Sequence, residues 1–405
     1  MAIPGLKSNM INNFKKDCLK RFTSNGFPTR KEENWKFTSS RNLAKFENHV
    51  EEIPSIEHLN IDDNTLLFIN GILDQGSLNN FKFNAKLNIS DLDEITDNSI
   101  LEFSDNFNED SIFNLGISDF KKGFYFKFDE KLIIEKPVKI INYYKADQNF
   151  SRITSFNIFH VQSGSEISFE ENDIYEGMSS FNLKLNKFII EDNSVLKFGK
   201  FNQGVDQNHQ LSYNYFTMKK DAILKIDGLN KQSIFNKEFI EVDLNDSGSD
   251  VNISILNLGK NNDHLDNNIL INHNAESCTS FQHVRNILDN ESSAVFNGKV
   301  IVSEGAQKTD SNQSNKNLLL SDTSNAYSNP QLEIYADDVS CGHGSTTGAL
   351  NEDSVFYLRA RGIKKTDAIK ILIKAFAKEV VDEFSLSSIQ DISEIALDSW
   401  INEQH

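Results

Sequence analysis

Hydrophobic and polar positions divide the chain into three stretches. Over residues 7–24, Met10, Ile11, Phe14, Cys18, Leu19 and Phe22 recur close to the helical period and Gly26 and Pro28 end the run, which predicts a surface helix with one buried stripe. Residues 28–38 form a charge-rich stretch that includes Trp35, one of only two tryptophans; they read as an amphipathic turn that the indole anchors to the body. From there to about residue 120 the pattern is mixed, with short strands expected over 66–69 and 81–83.

From about residue 124 the chain turns into short β-branched and aromatic runs bounded by Gly, Asn, Asp and Ser. No helical pattern of ten residues interrupts them up to about residue 350. A doubly wound α/β domain is therefore excluded, since its parallel strands need crossover helices. Turn-forming residues also recur every 28 positions: Ser165, Asn193, Asp221, Ser249, Ser277 and Gly305. A Val, Ile or Leu strand start follows each of the first four within three residues, and a second strand lies midway to the next. A two-strand repeat cannot bury its apolar face alone, so copies must stack. The expected architecture is mainly β, a parallel β-solenoid with Leu224 and Ile226 inside and Ile223 and Lys225 outside; a β-sandwich with regular strand lengths is the alternative.

Helical periodicity returns after Asn351. One helix spans about 354–361 and ends at Gly362; a second, N-capped by Thr366 or Asp367, carries Ala368, Ile371, Leu372, Ala375, Phe376, Val380 and Phe384; a third covers about 389–400. These helices suit a cap on the end of the solenoid or a docking element for a partner. The expected division is a helical and mixed N-terminal region (1–120), a β-solenoid core (121–350) and a C-terminal helical region (351–405).

Charge narrows the partners. With 59 acidic against 41 basic residues the net charge is −18, and no local basic cluster offsets it, which disfavours nucleic acid and anionic membrane surfaces. No export signal opens the sequence and no apolar run approaches the roughly 20 residues that span a bilayer, so a cytosolic location is expected. Cys18, Cys278 and Cys341 are odd in number and far apart, which suits reduced thiols.

The usual catalytic signatures are missing. The Gly-rich run from Cys341 to Gly348 lacks the lysine and spacing of a P-loop, and there is no G-x-S-x-G, H-E-x-x-H or C-x-x-C. What remains is Cys341-Gly342-His343-Gly344. On an extended strand a thiol and an imidazole two residues apart share a face and can share a metal or a sulfur species. Two side chains fill only half of a tetrahedral iron site, so further ligands must come from elsewhere. At its ordinary pKa about 3% of a thiol is ionised at neutral pH, leaving coordination to drive the rest. The same residues also suit a Cys packed in a turn beside a hydrogen-bonded His. His264, His273 and His283 match no metal spacing, and Cys278 and Cys18 fall on apolar registers.

Several blocks carry a resemblance: Phe296 to Val300, Gly305 to Asp310, Asn317 to Ser321, Pro330 to Ile334, Ala336 to Val339 and Phe356 to Arg359, with residues 28–38 at the other end. Together they resemble the SufB/SufD family of the SUF iron–sulfur cluster assembly system, and the Leu-Glu-Ile-Tyr-Ala-Asp-Asp-Val run followed by Cys-x-His-Gly points to its SufD side rather than SufB. The resemblance implies a right-handed parallel β-helix flanked by helices, acting as a scaffold and not as an enzyme. It implies pairing with SufB, or with a second copy as a homodimer, and the ATPase SufC on the C-terminal helices, near Phe356, Tyr357, Arg359 and Arg361. It further implies a transient iron–sulfur cluster at the SufB interface involving His343 and Cys341, with none held tightly by the isolated chain. The chain departs from the common pattern at Ser340, Gly342, Ser345 and Thr347, where Lys, Ser, Ala and Val are usual; both potential ligands stay in place. A contrasting class, a solenoid carbohydrate-active enzyme, would be expected to be secreted.

Overall fold

The structure, a computed structural model, describes residues 7–48, 59, 61–204, 208–231 and 233–403. Its centre is a parallel β-solenoid of about eight turns. Alternate strands fall into two sheets, one of ten strands ending at Val339–Ala349 and one of nine ending at Asn325–Ile334. Consecutive strands in each sheet come from successive turns and pair in parallel, as in Leu196↔Leu224↔Val251. The repeat is looser than 28 residues. The left-handed residue at the corner before six successive strands of the ten-stranded sheet, from Glu166–Gly177 to Thr309–Leu319, is Gly164, Asn193, Asp221, Gly248, Ser277 and Lys308 in turn. Three of the predicted turn residues hold that position, Ser165 and Ser249 lie one place after it, and Gly305 lies three before. The corners stack through backbone hydrogen bonds, such as Asn193 N to Lys220 O and Asp221 N to Ser247 O, so each turn absorbs a residue more or less without losing strand register.

The interior is not uniformly dry. One side holds stacked apolar residues, among them Phe159, Phe188 and Phe216 with centroid spacings of 5.1 and 4.6 Å, and each such buried ring contributes about 1.5–3 kcal/mol. The other side holds a ladder of buried asparagines. Asn202, Asn230, Asn257 and Asn286 each donate Nδ2 to the Oδ1 of the next asparagine, ending on Asn317, at 2.5–2.8 Å, which ties each turn to its neighbour. Lower in the stack Lys184 pairs with Glu171 and Asp173 at 3.0 and 2.8 Å, all three buried.

Two helical layers cover the outer faces. On the nine-stranded side lie helix α1 (Lys7–Asn25), α3 (Asp105–Glu109) and α4 (Ser111–Asp119), with α2 (Gln75–Asn80) beside the first strands. In α1, Ile11 and Cys18 are buried but Leu19 is exposed, so the stripe is narrower than its sequence predicts. Trp35 is buried against Phe239, and its Nε1 donates to Asp110 at 3.0 Å. The strand at 66–69 is present as Thr65–Ile69. Residues 81–83 form none: Phe81 closes α2 and Phe83 opens a 3-10 turn, because both rings turn inward at a bend.

The C-terminal helices α5 (Glu352–Ala360), α6 (Lys365–Val381) and α7 (Ser387–Asn402) do not cap the solenoid. They fold back over the outer face of the ten-stranded sheet, where Ile373, Val380 and Trp400 pack on Leu229, Leu256 and Ile287. A Cβ at Gly199 would lie 2.5 Å from Ile389, which shows how closely α7 approaches the sheet. Helix α6 starts earlier than its sequence predicts, with Lys364 in the cap position and no side-chain cap bond. The two ends of the solenoid therefore differ. Antiparallel strands Ile72–Leu73 and Leu87–Asp91 close the first turns, whereas the last strand of each sheet offers a free edge, with most of its side chains exposed or half-buried.

Candidate functional site

Cys341 and His343 lie on that last strand of the ten-stranded sheet, opposite Ser311 and Gln313 of the strand Thr309–Leu319. Alternation sends both side chains toward the solenoid interior. Cys341 is half-buried and packs against the apolar core, while His343 is exposed. The difference has one cause: an inward residue is covered by the next turn, and none follows here. The Cys packed in a turn that the sequence leaves open is thus replaced by a thiol and an imidazole on one face of an edge strand.

Below the pair the interior changes character. One column runs Leu196, Leu224, Val251, Ser280, Ser311, Cys341, and its neighbour runs Phe198, Ile226, Ile253, Gln282, Gln313, His343. Both switch from apolar to polar over the final three turns. Ser280 Oγ and Ser311 Oγ are 2.9 Å apart, and buried His273 reaches Ser280 Oγ at 2.8 Å. Burial pushes the Cys341 thiol up, a backbone hydrogen bond from Ser311 works the other way, and Asp310 across the register adds to the rise. Among the described residues no three His, Cys, Asp or Glu side chains converge on one point, so this chain offers the pair and no complete metal shell.

The second group of predicted residues sits on α5. Val355 is buried and Leu358 half-buried, holding the helix down, while Phe356, Tyr357, Arg359 and Arg361 face outward. Phe356 and Tyr357 are 71% and 56% exposed and lie side by side on the helix. Arg361 lies over the Tyr357 ring, 4.3 Å from its centroid, and donates to its hydroxyl, which presents the two as one amphipathic patch. The remaining candidates are dispersed. His264 bonds Thr38 and Ser293 at 2.8 Å each, His283 pairs with Glu383 of the C-terminal layer, and Cys18 and Cys278 are fully buried. Burial pushes the Cys18 thiol up to about 12. Sequence reasoning missed Asp310, Ser311, Gln282 and Gln313. Their run of Asp, Ser, Asn and Gln reads as loop, and only strand register places them under the pair.

A parallel two-sheet solenoid with helices folded along its flanks, and a thiol and an imidazole at one uncapped end, defines the class. The SUF system FeS cluster assembly SufBD core domain matches residues 143–376, more than half of the chain, and the chain belongs to that family. Its similarity is of SufD type: it is 34% identical over 175 residues to the iron–sulfur cluster assembly protein SufD of Escherichia coli, covering 43% of this chain and 41% of that protein. A SufBD family protein of Synechocystis sp. is 47% identical over 104 residues, 26% of this chain and 23% of its own. The chain's matches thus span less than half the length of either. The chloroplastic protein ABCI7 of Arabidopsis thaliana is 25% identical over 399 residues, 91% of this chain and 81% of its own. Among the described residues no helix is long and apolar enough to cross a membrane.

Proposed function

We propose that this chain is a non-catalytic scaffold subunit of a SUF complex, in which His343, with Cys341, supplies part of the site where an iron–sulfur cluster is built and passed on. The observation that carries this reading is the uncapped last turn. It leaves two potential ligands at a free sheet edge, and a second solenoid of SufB, or a second copy of this chain, would extend the sheets and complete the coordination. Iron and sulfide are cargo here. The raised thiol pKa means that Cys341 binds iron by losing its proton to coordination rather than beforehand. The exposed face of α5 serves as the seat of the ATPase SufC, which hydrolyses the nucleotide while this chain transmits the movement through α6 and α7.

The test is co-expression with SufB and SufC, followed by anaerobic quantification of iron and acid-labile sulfide. His343→Ala should leave the complex assembled and lower both contents. Undiminished cluster on the mutant complex, or failure of the three chains to associate, would reject the reading.

A further inference from the structure

Gln313 stands one turn, and Gln282 two turns, below His343 in its interior column. Gln282 and Gln313 are 0% and 1% exposed, yet among the described residues Nε2 and Oε1 of both find no hydrogen-bond partner. Their surroundings make this unusual. The asparagine ladder in the same interior is bonded from rung to rung and ends with Asn317 Nδ2 donating to Thr347 Oγ1 at 3.0 Å. Parallel register would allow the two glutamines to pair in the same way, and they do not. The backbone of Gly298, across the interior, comes close to one of them: a Cβ there would lie 3.0 Å from Gln282 Oε1. Buried amides with neither donor nor acceptor satisfied are poor structural elements, and a ligand that takes up those bonds is one physical reason to keep them.

We infer that Gln313, backed by Gln282 one turn deeper, forms the inner wall of the cluster site, its amide N–H donating to sulfide sulfur and its Oε1 accepting the ring N–H of His343 that does not bind iron. This rests on the reading of His343 given above. The chemistry matches the groups available. Cluster sulfides carry negative charge and take N–H hydrogen bonds, and a coordinating imidazole needs an acceptor on its second nitrogen to fix its tautomer and orientation. Gln313 is a positioning residue, since it acts on the cargo's sulfur and on a ligand rather than on iron.

The experiment compares Gln313→Leu, Gln282→Leu and His343→Ala in the full chain, alone and co-expressed with SufB and SufC. For the apo chain, thermal unfolding of both leucine variants should be unchanged or shifted upward, because each replaces an unsatisfied amide with an apolar group of similar size. In the complex, supplied anaerobically with ferrous iron and sodium sulfide, Gln313→Leu should retain about tenfold less iron and sulfide, the equilibrium equivalent of one charge-assisted hydrogen bond. Its charge-transfer absorption should shift as well. A marked fall in melting temperature of either leucine variant would make the amides structural and overturn the inference. So would wild-type cluster retention in both leucine variants while His343→Ala loses it. If His343→Ala also retains the cluster, the proposed site itself has failed.

Discussion

Asp227 is the carboxylate that latches the C-terminal helices to the solenoid. It projects from the outer face of the ten-stranded sheet, is 2% exposed, and its Oδ2 accepts from Ser385 N and Oγ at 2.8 Å and from Leu386 N at 3.0 Å. These groups form the turn between α6 and α7. Asp227→Ala orphans two backbone N–H groups in an enclosed place, at about 1–3 kcal/mol each. Part of that is offset, because the carboxylate is itself held at a cost: burial pushes its pKa up, ahead of the hydrogen bonds that pull it down. The net expectation is a loss of about 2 kcal/mol. It should be local, since the apolar contacts of Ile373, Val380 and Trp400 remain. Hydrogen exchange would then show α6 and α7 opening more readily while the central strands keep their protection. Asp227→Asn, which retains an acceptor oxygen, should recover much of the loss. Unchanged exchange at Ser385 and Leu386 in Asp227→Ala would refute the latch.

Three further outcomes are expected. Glu241 is buried where α3 meets the nine-stranded sheet, accepting from Asn106 Nδ2 at 3.0 Å, and burial pushes it up to about 7 from 4.5. The folded state therefore binds this proton more tightly than the unfolded chain, so the contribution is complete below about pH 4.5 and is lost as pH rises through 7; urea titrations should show a decline on the order of 3 kcal/mol that Glu241→Gln removes. Gly298→Ala places a Cβ 2.3 Å from the Phe296 ring and should cost about 1–3 kcal/mol by overpacking, read as a lower urea midpoint. Replacing Phe356 and Tyr357 together by Ala should change the chain's own stability by less than about 0.5 kcal/mol and abolish co-purification with SufC; retained binding would move that contact elsewhere.

Much of the solenoid was legible because its corners constrain the chain locally. A left-handed backbone favours Gly, Asn and Asp, and these residues mark the turn where two strands per repeat begin. Inward alternation at Leu224 and Ile226 was equally plain, since an apolar side chain at every second position has one economical destination. The thiol–imidazole pair was found because its spacing on a strand already implies a shared face. By contrast, the strand Thr309–Leu319 carries Asp, Ser, Asn and Gln at places where strands usually show apolar residues. The exact 28-residue spacing also failed, because stacked corners tolerate insertions that a linear count does not.

By itself, then, the sequence determined the repeat, the strand character, the number of C-terminal helices and the thiol and imidazole that share one strand face. All of these follow from interactions within a few residues. Only the tertiary structure decided that the helices lie along the flank, that the last turn is uncapped, and that Gln282 and Gln313 stand unpaired beneath His343. The physical reason is that an interior polar group finds its partner one turn up or down the stack, some 27 to 31 residues away along the chain. Whether such a group is satisfied depends on register between turns, which no local pattern records.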